Sequence, residues 1–254
     1  MEKTAENILE IEGVKKHFGG IKAVNDVSFA VKYGEHLGVI GPNGAGKTTL
    51  FNLIAGTFPN DEGSIIFAGE NIARKPARKR ALAGISRTFQ TSKLFLNLSV
   101  LENLFLALNK NQQTFKIFSS WEQDKAKIED CYNMAKQLGL EDIFEVQVGE
   151  LPHGKKRLLE IGQVLISGAK LIMLDEPAAG LPENERVKIS QLVKELTEGL
   201  SLIMIDHDMD IIFDLADRVL VMDQGKILAL GTPAEIRDNS EVQRIYVGGE
   251  QDDN

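Results

Sequence analysis

The 254-residue chain is 43% hydrophobic and 26% charged, which supplies a sizeable core and argues against disorder; at roughly 150 residues per domain it makes one large domain or two small ones. Its 29 Lys and Arg against 37 Asp and Glu leave a formal charge of −8, which argues against broad, sequence-independent binding to nucleic acid, since that depends on cations neutralising phosphates. The single cysteine, Cys131, excludes an intrachain disulfide framework and a multi-cysteine zinc site and fits a reducing compartment.

The first stretch, MEKTAENILEIEG, is polar and acidic and lacks the apolar centre of a secretory signal. No apolar run approaches the ~18 residues of a membrane-spanning helix, and no period of ~20–50 residues repeats. A soluble protein is expected, meeting a membrane only through a partner or the lipid surface. Ile8 to Ile11 alternates like a strand, as does Val24 to Val31, and a turn at 33–35 leads into a buried-type strand, His36 to Ile40. That strand runs into GPNGAGKTT at 41–49 and an apolar-periodic helix at 50–56, and Gly63 to Phe67 reads as another strand.

From about Ser99 to Ser167 the pattern turns helical. Residues 100–109 have one apolar side, 109–120 read as a polar loop, and 121–140 put Ile128, Cys131, Ala135 and Leu138 near one stripe. A helical insertion in an α/β chain suggests a subdomain. Beyond it, Leu171 to Leu174 and Leu202 to Ile205 are apolar runs that end in Asp175-Glu176-Pro177 and Asp206-His207-Asp208. Such runs suit parallel strands covered on both faces, whose carboxyl ends carry ligands in open α/β sheets. Asn184 to Thr197 is an amphipathic helix, 219–230 a hairpin turning at 223–225, and Thr232-Pro233-Ala234-Glu235 a capping box with Pro at the first helical position.

Gly41, Pro42, Asn43, Gly44, Ala45, Gly46, Lys47 and Thr48, followed by Thr49, match the G-x-x-x-x-G-K-[ST] phosphate loop between a strand and a helix. The glycines permit a turn tight enough to aim successive N–H groups into one concavity, and the following helix adds its positive end. Lys47 bridges the β- and γ-phosphates in such a loop, and the Thr48 hydroxyl ligates Mg²⁺. Asp175, ending a strand, suits a carboxylate that holds the metal through water. Glu176 beside it suits orienting or deprotonating an attacking water. His207 is placed to donate to the γ-phosphate, and Gln90 to hold a metal-bound water or the nucleophile.

Together these residues resemble the nucleotide-binding subunit of an ABC transporter. Residues 41–48 match the family's Walker A, Gln90 its Q-loop, LIMLDEP at 171–177 its Walker B and catalytic glutamate, Ala178 to Leu181 its D-loop, and His207 its switch histidine. Phe18 matches the aromatic that stacks on adenine. The order and spacing hold over residues 8–232. The resemblance implies a single P-loop NTPase domain of RecA-like α/β fold. Its nucleotide-binding core would be 8–90 and 168–232, with an N-terminal antiparallel β region, a helical subdomain at 91–167, and a C-terminal helix and tail at 233–254. It implies ATP and Mg²⁺ as cofactors, a second ATP-binding subunit docked head to tail, transmembrane permease subunits, an extracytoplasmic solute-binding protein met indirectly, and no nucleic acid. The location implied is cytoplasmic, peripheral on the inner face of the membrane.

The family signature, usually Leu-Ser-Gly-Gly-Gln, is replaced by Leu151-Pro152-His153-Gly154-Lys155. The serine hydroxyl is lost at Pro152, while Gly154 and, beside it, His153 are the residues carried over as contacts for a partner's γ-phosphate through N–H groups at a helix start. Lys155 either lends a charge to that phosphate or faces solvent, the latter being the expectation. Pro182 stands where many relatives have aspartate. LPHGKKRLLEIG, DEPAAGL, DHDM and the stretch from Gly231 to Gly248 are similar to ATP-binding subunits of branched-chain amino acid importers. The competing readings are a soluble ABC ATPase of translation or DNA repair, a P-loop GTPase, for which the only Asn-Lys pair (109–110) lacks the guanine motif, and a cassette that binds ATP without efficient turnover.

Overall fold

The computed structural model describes residues 6–88, 94–109 and 124–248. The chain opens with a hairpin of β1 (Asn7–Phe18) and β2 (Ile21–Lys32), closed by the pair Phe18 and Ile21. Both strands outrun the alternating stretches because register shifts carry the polar run at 15–17 within the ladder. There follow β3 (His36–Ile40), α1 (Lys47–Ala55), β4 (Glu62–Phe67), β5 (Glu70–Asn71), α2 (Ala77–Ala83) and β6 (Ile85–Arg87). The helical stretch contains α3 (Val100–Leu108), α4 (Lys125–Gln137) and α5 (His153–Ile166). Next come β7 (Leu171–Asp175), α6 (Glu183–Leu196), β8 (Ser201–Ile205), α7 (Met209–Leu215), β9 (Arg218–Asp223) and β10 (Lys226–Gly231), then α8 (Pro233–Arg237) and α9 (Ser240–Gly248).

Two sheets result. One, ordered β2-β1-β4-β5, is antiparallel; the other, ordered β10-β9-β3-β8-β7-β6, is parallel from β9 to β6 with β10 added as an antiparallel edge. The parallel strands are buried on both faces, as their apolar runs predict. Leu37, Val39, Met173 and Ile203 face the first sheet and α1, whereas Ile40, Leu174, Met204 and Val221 face α5, α6 and α7. Gly38 is required on the second face: a Cβ there would lie 2.4 Å from Ile212 of α7. β8 lies between β3 and β7, so the ends of all three strands meet at one edge.

The helices α3–α5 bury a core of their own around Val100, Leu104, Cys131 and Leu159. The expected stripe holds: Cys131, Ala135 and Leu138 are buried, and Ile128 packs against them. α4 is shorter than expected, since Leu138 already caps it before the left-handed Gly139. The loop expected at 109–120 lies outside the described residues from 110 onward. α1 begins at Lys47, three residues before the apolar periodicity, because Gly46 caps it in a left-handed conformation. The capping box at Thr232, with Pro233 at the first helical position, is present as predicted.

Candidate functional site

The loop from β3 to α1 is held by backbone that admits only glycine at two points. Gly41 has φ 149° and its Cβ would fall 2.2 Å from the Met222 carbonyl; Gly46 has φ 101° and its Cβ would fall 2.2 Å from the Ala23 carbonyl. The turn between β9 and β10 clamps the loop from outside, with Gly225 donating to the Ala45 carbonyl at 3.0 Å and accepting from Asn25 of β2 at 2.7 Å. Lys47 curls over the loop and donates to the carbonyls of Gly41 and Pro42, the latter at 3.0 Å. Burial pulls the Lys47 ammonium below its usual range, opposed by the charges of Glu176 and Asp175. No acidic residue occupies the first turn of α1, so the positive end of the helix dipole is left for an anion, with Thr48 exposed beside it.

Asp175 ends β7 with 1% exposure. Its Oδ2 lies 3.4 Å from Arg87 Nη2, and its Oδ1 is buried with no hydrogen-bond partner. Burial pushes the carboxyl above the ordinary range, with Arg87 pulling down and Glu176 pushing up. Glu176 follows with φ 48°, left-handed in a residue that carries a side chain, and its N–H donates to the Ile205 carbonyl of β8 at 2.8 Å. His207, just past β8, presents Nδ1 to Asp206 at 3.5 Å and to Glu176 at 4.0 Å. Asp206 is buried, and burial raises its carboxyl as well. The structure thus brings Lys47, Asp175, Glu176 and His207 to one edge of the sheet.

The remaining predicted residues lie elsewhere. Phe18 ends β1, half exposed, with the edge of its ring fixed against Phe58 at 5.4 Å and 89° and the Lys16 ammonium 5.5 Å from its centroid. It sits across the hairpin from Ile21, next to the Lys22–Ala23 stretch that touches Gly225 and Gly46. His153 and Gly154 open α5 and line a groove with Gly180, Leu181, Pro182 and Glu185 rather than with any residue of 41–49. α5 starts on Pro152 with no side-chain cap and no acidic residue in its first turn. Lys155 is half-buried, and its ammonium makes an exposed hydrogen bond to the Gly139 carbonyl at 2.7 Å, just past the C-terminal end of α4, so the expected solvent-side placement gains one surface partner. Gln90 lies outside the described residues.

Three neighbours of the site escaped the sequence reading. Arg87 bonds Asn52 Oδ1 at 2.8 Å as well as Asp175, linking α1 to β7. Arg157, buried in α5, donates to the carbonyls of Asp175, Glu176 and Pro177. Tyr246 of α9 packs against the same apolar cluster as Ile40, and burial raises its phenol to about 12 against the pull of the Gly41 backbone N–H. None carries a signal beyond residue type, because each acts through contacts distant in sequence.

A family profile described as ABC transporter matches residues 24–179. The chain is 35% identical over 249 residues to the high-affinity branched-chain amino acid transport ATP-binding protein BraF of Pseudomonas aeruginosa, covering 95% of this chain and 98% of that one. It is 34% identical over 252 residues to the like-named protein LivG of Escherichia coli strain K12, covering 96% and 99%. A crystal structure of an ATP-binding cassette of an ABC transporter in its ADP conformation matches with a TM-score of 0.83 at 33% identity, covering 95% and 99%.

Proposed function

The chain belongs to the ABC transporter family, whose ATP-binding subunits couple ATP hydrolysis to transport, and on that premise we propose that it is the motor of an importer for branched-chain or related amino acids. It works as one of two cassettes docked head to tail on permease subunits at the inner face of the membrane, and a solute-binding protein delivers the substrate from the other side. The amino-acid class follows from its relatives and not from its own site, since this polypeptide need not touch the solute. No helix among the described residues is long and apolar enough to cross a membrane, in keeping with a subunit that sits on the bilayer through its partners.

One observation carries the reading. A lysine-capped glycine loop and a buried carboxylate oxygen without a partner occupy the same edge of the sheet. Phe18 stacks on adenine, and the backbone N–H groups of 43–49 with Lys47 hold the phosphates. The unpartnered Oδ1 of Asp175 and the Thr48 hydroxyl fit Mg²⁺, which keeps several waters and takes one or two protein oxygens beside phosphate. The family resemblance adds Gln90 to that set. When bound, the metal neutralises charge on the β- and γ-phosphates. Glu176 accepts the proton of the attacking water. His207 has Nδ1 turned to Asp206 and Glu176, which leaves Nε2 for a phosphoryl oxygen. Gly154 and His153 cover the γ-phosphate held by the second cassette, through backbone N–H groups where Pro152 has removed the hydroxyl.

The test is phosphate release by the purified chain across a wide concentration range. The rate per chain is expected to climb as pairs form. A full rate that is independent of concentration, from a strict monomer, overturns the paired scheme. Uptake of leucine, isoleucine and valine by cells carrying Lys47→Ala tests the substrate class: unchanged uptake removes it.

A further inference from the structure

We infer that Arg157 is a positioning residue for hydrolysis: it fixes the backbone of Asp175-Glu176-Pro177 so that Glu176 faces the reacting water, and it ties that backbone to the helical subdomain. The inference rests on Glu176 as the proton acceptor, as proposed above.

Three successive carbonyls converge on one guanidinium. Arg157 Nε donates to the Pro177 carbonyl at 2.7 Å, and Nη2 donates to the carbonyls of Asp175, at 3.0 Å, and Glu176. Carbonyls of consecutive residues point to one side only if the chain curls, and the curl here is the left-handed φ of 48° at Glu176. Left to itself, a residue with a side chain abandons that conformation, so something must hold it. The Ile205 carbonyl holds Glu176 from the β8 side and Arg157 holds it from the α5 side. A planar fork of donors satisfies three separated acceptors at once; the compact ammonium of lysine does not.

Arg157 itself stands on α5, which makes the link to the subdomain, and its fourth contact steadies the guanidinium on that helix. Nη1 pairs with Glu160 at 2.6 Å, one turn along the same helix, with both side chains about nine-tenths buried. Glu160 lines the groove between the helices and the parallel sheet, together with Arg87, Thr88 and Gln163. A merely structural ion pair would join Arg157 to its own helix alone. Here most of the guanidinium's bonds go to the segment that carries the metal-site aspartate and the acceptor of the water's proton. Any tilt of α5 against β7 must therefore stretch those bonds or rotate Glu176. The same helix begins at His153 and Gly154, so docking of a second cassette on its start reaches the catalytic backbone of its own site within one turn.

The experiment is a double-mutant cycle in the full-length chain, reading kcat for phosphate release and, separately, the Kd for ATP. Glu176→Gln alone is expected to lower kcat by about 10²–10⁴-fold, to a small residual rate, and keep ATP binding. Arg157→Lys is expected to lower kcat by about ten- to a hundredfold, the scale of a misplacement near 1 Å, while the Kd stays within about threefold. In the Glu176→Gln background Arg157→Lys is expected to have no further effect, because it acts through the lost carboxylate. An unchanged kcat in Arg157→Lys, an equal loss in kcat and affinity, or full multiplicativity in the double variant overturns the inference alone. Normal turnover in Glu176→Gln overturns the earlier reading of that residue instead. If Arg157→Lys does not fold, Glu160→Gln serves: it keeps an acceptor for Nη1 but removes the charge. A several-fold fall in kcat at constant Kd is then expected, and no fall overturns the link to the groove.

Discussion

Residues 41–49 and residues 151–155 both turn the chain into the start of a helix, α1 in one case and α5 in the other, and both present helix N–H groups without an acidic residue in the first turn. Their surroundings differ. Around the first, the carbonyls of Met222 and Ala23 occupy the space a Cβ would need at Gly41 and Gly46, and the β9–β10 turn bonds the loop from outside. Around the second, His153 is exposed and a Cβ at Gly154 would meet side chains alone, the far end of Glu185 at 2.8 Å and Leu181 at 3.7 Å, and no backbone. One is a glycine loop closed in by its own chain; the other is a helix start that, among the described residues, shares an open groove with Gly180, Leu181, Pro182 and Glu185 and with no residue of 41–49. That asymmetry is what a pocket shared between two subunits requires.

The largest expected effect comes from the completed half. Lys47→Ala removes the cation over the loop, and phosphate release is expected to fall by ~10²–10³ or more, the scale for deleting one donor aimed at developing charge. The exposed half is tested by Gly154→Asp. It sets a like charge against a partner's γ-phosphate, a contact that costs several kcal/mol. ATP is expected to bind the isolated variant normally while turnover falls by at least about tenfold. The two variants then sharpen the contrast when mixed. A head-to-tail pair of Lys47→Ala with Gly154→Asp gathers both defects in one pocket and leaves the other intact. Activity above either parent is expected; failure to regain any would mean that both segments serve the same chain.

Much of the first half was legible in the sequence and little of its support was. β3, β7 and β8 announce themselves as short apolar runs ending in polar tips, since a strand buried on both faces leaves no position for a charge. Lys47, Asp175, Glu176 and His207 lie where those tips predict. Arg157 reads as one more cation in a basic helical stretch, because its role depends on a left-handed φ at Glu176 that no local pattern encodes. Phe58, which fixes the ring of Phe18, is hidden because the two rings lie far apart in sequence. α2, β5 and β6, of seven, two and three residues, are too short for any period to show. The surface bond of Lys155 to Gly139 is likewise hidden, because its acceptor lies just past the end of α4, sixteen residues back.

A smaller effect separates stability from activity within the completed half. The carboxyl of Asp175 is raised by burial, so it favours the folded state only when protonated; that contribution is lost as pH rises through its folded value, and at neutral pH the charged, partly unpartnered group is a burden. Asp175→Asn is expected to abolish metal-dependent turnover and yet raise stability by about 1–3 kcal/mol, the cost of an unsatisfied buried group. For a chain of this size that is roughly 2–4 °C per kcal/mol. Arg87 keeps its bond to Asn52 in the variant. The gap in Tm between variant and wild type is expected to be widest at neutral pH and to close on acidification. A Tm that falls at pH 7 would mean that the Arg87 pair outweighs the burial of the charge.

The smallest expected effect asks whether the phosphate loop is as self-contained as the comparison holds. Tyr246 reaches it from α9, the far end of the fold, with its ring in the apolar cluster and its hydroxyl near the Gly41 N–H. Tyr246→Phe keeps the ring and removes the hydroxyl. One hydrogen bond of this kind is worth about 0.5–1.5 kcal/mol, so a Tm lower by roughly 1–6 °C is expected. The KM for ATP is expected to stay within about threefold, which corresponds to less than ~0.7 kcal/mol. The reason is that the conformation of 41–49 is already dictated by φ at Gly41 and Gly46 and by the carbonyls packed against them, none of which involves α9. A tenfold rise in KM with an unchanged Tm would reverse that order of causes. The C-terminal helix would then be part of the nucleotide pocket, and the first half of the comparison would need a support from outside the sheet, just as the second half needs one from outside the chain.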